Sequence, residues 1–344
     1  MKKFLFRISL LVIILAVFIY YIMRNLGTLE HTVSVTLSQS LGYIAIAFAF
    51  ASIAFFFLIS MHQRVLSMLG IRRTKFQMFL LQTESLAMNV IVPSAGVSVG
   101  VVFASDAKKN GDSEAAAITG VILALLVDYA SIAILLSTAM LYLYSLKSLG
   151  LQVTIPAVAF FILTIGLFLL IYYAGKNKVV LKRFLDWCKG IANKVAKTFG
   201  KKAAFKNETI VDNFITELEN AYNIMRSDRR ELYISLGYML LCHLMYLVAL
   251  YVLFLSLGIE PLYRVLLSGY AIGIMLVVVS PTPNGVGFVE GSMALAYASM
   301  GVAGAAAATV TLIYRGFSFW LPLFIGFFAL QRKHLLNLVE KARN

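Results

Sequence analysis

Eight apolar stretches, each of the length needed to occupy the hydrocarbon core of a bilayer, follow one another through the chain. Six read as unbroken spans, at about 5–23, 42–60, 115–144, 153–174, 233–257 and 306–328. The other two, about 76–105 and 265–300, are interrupted in the middle by Pro93-Ser-Ala-Gly96-Val-Ser-Val-Gly100 and Pro281-Thr-Pro283-Asn-Gly285-Val-Gly287. With 60% hydrophobic and 13% charged residues the chain is not a soluble domain. Backbone in lipid must satisfy its own hydrogen bonds, so runs of this kind fold as helices. The fold class is therefore an all-α polytopic membrane protein. The basic start Met1-Lys-Lys-Phe-Leu-Phe-Arg7 before an apolar run has the look of a signal peptide, but it lacks an A-x-A cleavage pattern and reads as a first transmembrane helix.

Backbone that leaves the helix at membrane depth must be buried in protein or line an aqueous cavity. The simplest account of the two interrupted stretches is a pair of re-entrant helical hairpins, giving six full transmembrane helices plus two hairpins. The charges fit that topology. With a cytoplasmic N-terminus, segments 1–7, 61–75, 106–114, 175–232 and 331–344 carry 26 of the 30 Lys and Arg, as the positive-inside rule requires. This places the protein in the plasma membrane with both termini in the cytoplasm; had both interrupted stretches crossed fully, the sign pattern would still allow Lys108 and Lys109 outside.

The two interrupted stretches also match each other at a constant offset of 190 residues: Pro93 and Pro283, Gly111 and Gly301, Ala115–Ala117 and Ala305–Ala307, Thr119 and Thr309. Three crossings separate the copies, so repeat halves at about 76–144 and 265–328 have opposite orientations. An inverted repeat with broken helices is the organisation transporters use to build a site near the midplane. The whole chain, 1–344, reads as one membrane domain with a cytoplasmic amphipathic insert at 175–232. In that insert, Val180, Phe184, Trp187, Cys188, Ile191 and Val195 share one face of a first helix, as suits an interfacial helix on anionic lipid. Val211, Phe214, Ile215, Leu218, Tyr222 and Met225 form the buried face of a second. Packing on the membrane surface and on the bundle ends, and docking of a partner, are both open.

The net charge of +14 is a topology signal rather than a sign of nucleic-acid binding. Cys188 and Cys242 form no C-x-x-C pair, and the four histidines have no metal-ligand spacing, so no metal site and no cofactor is implied. Ionisable groups within spans are costly and usually face a cavity or a partner. Here they are Glu84, Asp128, Glu290 and Arg315. One reading makes Arg315 and the N–H groups freed at the breaks a pocket for an anionic phosphate head group, since the planar guanidinium suits phosphate. The plainer reading pairs Arg315 with Asp128 or Glu290 to lock the two halves together. Gly96-Val-Ser98-Val-Gly100 fits the nucleophile-elbow pattern but lacks its strand–turn–helix context. Gly269-xxx-Gly273 and Gly287-xxx-Gly291 read as intramolecular helix packing.

The run from Pro281 through Pro283, Asn284, Gly285 and Gly287 to Glu290, followed by Gly301 and Arg315, resembles the second motif of the lysylphosphatidylglycerol synthase transmembrane region, the flippase-like domain of MprF. Glu84, Asn89, Pro93 and Gly96, then Lys108-Lys109-Asn-Gly111 and Asp128, resemble its first motif. Family members often carry a polar or charged residue just after the first break, where this chain has Val97-Ser98-Val99. The resemblance implies a lipid-translocating domain with Glu290 and Arg315 near the lipid path. The cargo would be an anionic or aminoacylated phospholipid, or a polyprenyl-linked precursor. No Walker motif is present, so ATP is not the expected driver; movement would be passive or ion-coupled through Glu84 or Asp128. No synthase domain follows the last span in this sequence, so aminoacyl transfer by this chain alone is not expected. The alternatives are the membrane part of a lipid-modifying aminoacyl- or glycosyl-transferase, or an accessory subunit that recruits a separate lipid-modifying enzyme. A homo-oligomer is also open.

Overall fold

A computed structural model describes residues 40–91, 97–145, 151–198, 209–279 and 283–331. Every regular element among these residues is helical. Five helices are long and apolar enough to cross a bilayer: α1 (Ser40–Met68), α4 (Glu114–Ser145), α5 (Leu151–Lys176), α8 (Arg229–Ser256) and α11 (Gly304–Gln331). They correspond to five of the six expected spans; the first, 5–23, lies outside the described residues. α1 continues eight residues beyond its expected end at 60, so the loop before the next helix is shorter than expected. The protein is a multi-pass, all-helical membrane protein.

The interrupted stretches form two pairs of shorter helices, α2 (Lys75–Ile91) with α3 (Val97–Lys109) and α9 (Tyr263–Val279) with α10 (Phe288–Ser299). At 1.5 Å per residue, α2 and α9 are about 26 Å long and α3 and α10 about 18–20 Å, each short of the ~30 Å hydrocarbon core. Each pair folds back on itself. In the first, Ser98 meets Asn89 beside the break, and at the far end Arg73 grips Asp106 and Asp112, both at 2.7 Å. Burial disfavours the Arg73 charge, but its bonds to the two carboxylates outweigh this and raise its pKa. Thr74 and Gln77 exchange backbone and side-chain hydrogen bonds, a capping box that starts α2. In the second pair, Gly269 packs on the Tyr297 ring and Gly273 on Met293, an antiparallel register set by small residues. The expected Gly287-xxx-Gly291 contact is absent, because a Cβ at either position meets nothing within 4 Å.

The succession α2–α3–α4 is repeated as α9–α10–α11. α3 and α10 end at Lys109 and Ser299, and α4 and α11 begin at Glu114 and Gly304, each 190 residues apart. The joining turns carry the same bonds at the same offset, Asp112 N–H to Ala107 O and Val302 N–H to Tyr297 O, with Gly111 and Gly301 at positive φ.

The core sits among α8, α9, α10 and α11, where Leu250, Phe254, Tyr270, Met293, Tyr297 and Tyr314 pack together with Ala47 and Ala51 of α1. α2 lies on the second half of α11 through Ala87, Val90, Phe319, Trp320 and Leu323. There Gly326 allows so close an approach that a Cβ would lie 1.8 Å from the Thr83 carbonyl oxygen.

Two amphipathic helices, α6 (Lys178–Thr198) and α7 (Thr209–Ser227), lie within the insert among the described residues. α6 leaves Val180, Phe184 and Trp187 exposed, while Leu181 turns inward. α7 buries Ile215, Leu218 and Ala221, with Tyr222 against Gly175 of α5, and Glu217 accepts a hydrogen bond from Thr119 of α4. Phe214 departs from the expected buried face and is exposed. Four residues before Leu218 it lies only about 40° from it around the helix, so it is exposed in the first turns of the packed face rather than on another face.

Candidate functional site

The second break is built from turn chemistry. Pro283–Gly285 forms one 3-10 turn in which Asn284 adopts φ 50°, and Gly285 and Gly287 follow at 73° and 77°. A Cβ at Gly285 would lie 2.2 Å from Val289 Cγ2. The left-handed backbone and this close approach make glycine the fitting residue there. Helix α10 then starts with the Gly287 N–H donating to Glu290 Oε2 at 2.8 Å, which satisfies one of the donors that a helix start leaves open.

The other oxygen, Glu290 Oε1, accepts from Arg315 Nε at 2.8 Å, with the two side chains only 5% and 6% exposed. Of the two candidate partners of Arg315, the structure therefore selects Glu290. Asp128 makes no ion pair among the described residues and is half-buried elsewhere on α4. The guanidinium also stacks over the Phe319 ring, 4.2 Å from its centroid, and Nη2 points to the Asn284 carbonyl at 3.4 Å. Immediately after Arg315, α11 widens into a π turn, Gly316–Trp320. Such turns are uncommon and concentrate at functional positions in helices.

The two breaks meet. Asn89 Nδ2 donates to Asn284 Oδ1 at 2.8 Å, and Asn89 Oδ1 accepts from Ser98 Oγ at 3.0 Å. A continuous polar cluster thus runs from Ser98 at the start of α3, through Asn89 of α2 and Asn284, to Arg315, Glu290 and Gly287. The buried Asn284 Nδ2 has no hydrogen-bond partner among the described residues. Of the residues expected from the sequence, the structure brings together Asn89, Asn284, Gly285, Gly287, Glu290 and Arg315. Pro283 begins the 3-10 turn, while Pro93, Gly96 and Pro281 lie outside the described residues. Glu84 is buried where α2 crosses Gly326 of α11, about 7.5 Å along the helix from Asn89.

Ser98 and Phe319 were not foreseen as parts of this cluster. Nor was a second buried network, in which Ser131 of α4 and Tyr270 of α9 flank the His243 ring of α8. Ser131 Oγ lies 3.0 Å from Nε2 and Tyr270 Oη 2.9 Å from Nδ1. The Tyr270 ring also packs edge-on against Tyr314 of α11, with 6.3 Å between the ring centroids. The available signal was polar residues inside long apolar spans, which lipid-embedded helices carry only where they find partners.

Residues 6–326 match the family described as lysylphosphatidylglycerol synthase TM region. Three archaeal relatives are UPF0104 membrane proteins. The one from Pyrococcus horikoshii is 25% identical over 70% of this chain and 71% of its own length. That from Methanocaldococcus jannaschii is 24% identical over 96% of both. That from Methanothermobacter thermautotrophicus is 23% identical over 49% of both. With its paired broken helices, its motif residues gathered around Arg315 and a match spanning nearly its whole length, the chain belongs to the lysylphosphatidylglycerol synthase transmembrane region family.

Proposed function

We propose that the protein is a lipid translocator of the plasma membrane that carries a phosphate-bearing lipid between leaflets past the meeting point of the two breaks. In this reading residues 5–23 supply a sixth span and both termini are cytoplasmic. The two hairpins enter from opposite faces as an inverted repeat; the repeated order of helices and turn bonds at an offset of 190 residues supports this. The carrying observation is the 2.8 Å Asn89–Asn284 bond, which joins the breaks beside a buried Arg315. Unwound backbone and half-helix ends at one place are what transporters use to hold a polar group within the membrane. The lipid phosphate takes the guanidinium fork from Glu290 Oε1 as it passes, and the acyl chains stay in the bilayer.

The test is leaflet exchange in proteoliposomes, read as dithionite quenching of fluorescently labelled phosphatidylglycerol. Wild-type protein accelerates exchange. Arg315→Lys keeps a cation but loses the planar fork, and drops the rate by roughly tenfold, the equivalent of about one lost charge-assisted hydrogen bond. Exchange at the wild-type rate in a folded Arg315→Lys and in a folded Arg315→Met would refute the reading. The amphipathic insert on the cytoplasmic side supports the topology through its basic residues, and its exposed Phe184 and Trp187 fit the interface with anionic lipid.

A further inference from the structure

We propose that Lys75, at the start of α2, is the centre of a second binding site, which holds the phosphate of an anionic phospholipid in the leaflet beside the α1–α2 turn, and that this lipid waits there to enter. The site stands on its own observations; the waiting role rests on the translocator reading. The end of α1 and the turn into α2 carry four basic residues, Arg64, Arg72, Arg73 and Lys75. Two are held by carboxylates, Arg64 by Glu231 at 2.6 Å and Arg73 by Asp106 and Asp112. Arg72 and Lys75 are exposed and form no ion pair among the described residues. In the proposed topology this end of the bundle is cytoplasmic.

The Lys75 ammonium lies against α1. Nζ donates to Ser60 Oγ at 2.6 Å and sits 5.0 Å from the centroid of the Phe56 ring. Ser60 Oγ is fixed in turn by donating to the Phe56 carbonyl at 2.7 Å. An ammonium has three donors, and the other two meet no acceptor among the described residues. Partial burial and the like charge of Arg64 both lower the Lys75 pKa. An anion seated there would offset both. The rings beside the ammonium are open, Phe56 at 51% and Phe76 at 67% exposed. Phe76 stacks on Phe79 with 6.5 Å between centroids, and Phe79 meets Phe55 of α1 edge-on at 5.7 Å, so the aromatic shelf is continuous across the two helices. A cation with two open donors beside exposed rings suits a molecule that carries phosphate and hydrocarbon side by side. That is a phospholipid rather than a phosphate ion, with its phosphate on Lys75 and its glycerol and upper acyl chains on Phe56 and Phe76.

The position of Lys75 on α2 supports the waiting role. At about 100° per residue, Gln82 and Asn89, seven and fourteen residues further on, lie about 20° and 40° from Lys75 around the helix, so the three share one stripe. Gln82 and Asn89 are half-buried. Asn89 is the residue that meets Asn284 between the breaks, about 21 Å along α2 from Lys75. Gln82 lies midway, with Nε2 2.9 Å from the His62 ring nitrogens. The stripe offers a headgroup polar partners about every two turns between the membrane surface and the break.

The experiment uses the full chain in phosphatidylcholine vesicles with a varied fraction of phosphatidylglycerol brominated on its acyl chains. Phe76→Trp in a Trp187→Phe background puts an indole on the shelf, and the same protein without Phe76→Trp supplies the Trp320 baseline. Quenching of the new indole shows a preference for phosphatidylglycerol over phosphatidylcholine of roughly tenfold, the equivalent of about one charge-assisted hydrogen bond, and adding Lys75→Gln removes it. Glycerophosphoglycerol, the same phosphodiester without acyl chains, does not compete at millimolar concentration. In the dithionite assay Lys75→Gln raises the phosphatidylglycerol fraction that gives half-maximal exchange several-fold, more than it lowers the maximal rate. No preference in the reporter protein, or a preference that survives Lys75→Gln, overturns the site. Competition by glycerophosphoglycerol overturns the lipid as its occupant. A preference that needs Lys75, with an exchange profile in Lys75→Gln like that of wild type, keeps the site and overturns the waiting role. The same preference without exchange of any lipid by wild-type protein keeps the site and overturns the translocator reading, and the waiting role with it.

Discussion

Removing either member of the Glu290–Arg315 pair strands a charge in the core, and a double-mutant cycle measures how strongly the two depend on each other. Arg315→Met keeps the aliphatic stem against Phe319 but leaves the Glu290 carboxylate, 5% exposed, with only the Gly287 N–H. Breaking a buried pair from one side costs about 3–5 kcal/mol, so roughly 4 kcal/mol is expected here. Glu290→Gln is milder. Its amide oxygen can still accept from Gly287, and the guanidinium keeps the Phe319 ring and the Asn284 carbonyl at 3.4 Å, so the loss is roughly 3 kcal/mol. In the double variant neither charge is stranded, and its total loss is roughly 4 kcal/mol, well short of the sum and equivalent to a coupling of about 3 kcal/mol. The assay is unfolding in mixed micelles against graded dodecyl sulfate, followed by Trp320 fluorescence in a Trp187→Phe background. Trp320 packs in the α2–α11 contact, whereas Trp187 is exposed on α6. Single variants within about 0.5 kcal/mol of the parent, or strictly additive losses, would refute the buried-pair argument.

Two further outcomes follow from backbone geometry. Gly326→Ala places a Cβ 1.8 Å from the Thr83 carbonyl oxygen, which is backbone and cannot swing away; it should cost about 3 kcal/mol or more. Gly291→Ala, whose Cβ meets nothing within 4 Å in the interior of α10, should be neutral or gain up to about 1 kcal/mol. Equal melting temperatures for the two would contradict the close α2–α11 crossing. At Asn284, φ 50° makes Asn284→Gly lose only the Asn89 link, about 1 kcal/mol, while Asn284→Ala adds left-handed strain of about another 1 kcal/mol. Thermal unfolding in detergent that ranks Ala above Gly would overturn the assigned turn.

Where a helix must stop is legible in residue types, and Pro281 to Gly287 marked the second break without reference to anything distant. The helix lengths were legible for the same reason, except that α1 runs on to Met68, since no Pro or Gly stops it before the turn ending at Gly70. The partner of Arg315 was a different kind of question. Asp128 and Glu290 both lay in apolar surroundings, and choosing between them required the rotation of α4 about its axis, which depends on packing across the whole bundle. The His243 network was illegible for that reason in stronger form: Ser131 and Tyr270 lie 112 and 27 residues from His243 and on different helices, and no periodicity within one span encodes such a meeting.

Glu290 resolves two demands that the sequence leaves in competition. A carboxylate three residues into α10 is wanted as a helix cap, and a carboxylate near Arg315 is wanted as a counter-ion. The structure divides them between oxygens, Oε2 to the Gly287 N–H and Oε1 to Arg315 Nε, each at 2.8 Å. An anion that displaces Oε1 from the guanidinium therefore does not uncap α10, and the turn at Asn284–Gly287 keeps its shape while the charge on Arg315 changes partner. The same division explains why Glu290→Gln is the informative substitution. It removes the counter-ion while sparing the cap, so a loss of exchange in that variant reads the charge at Oε1 rather than the integrity of the break.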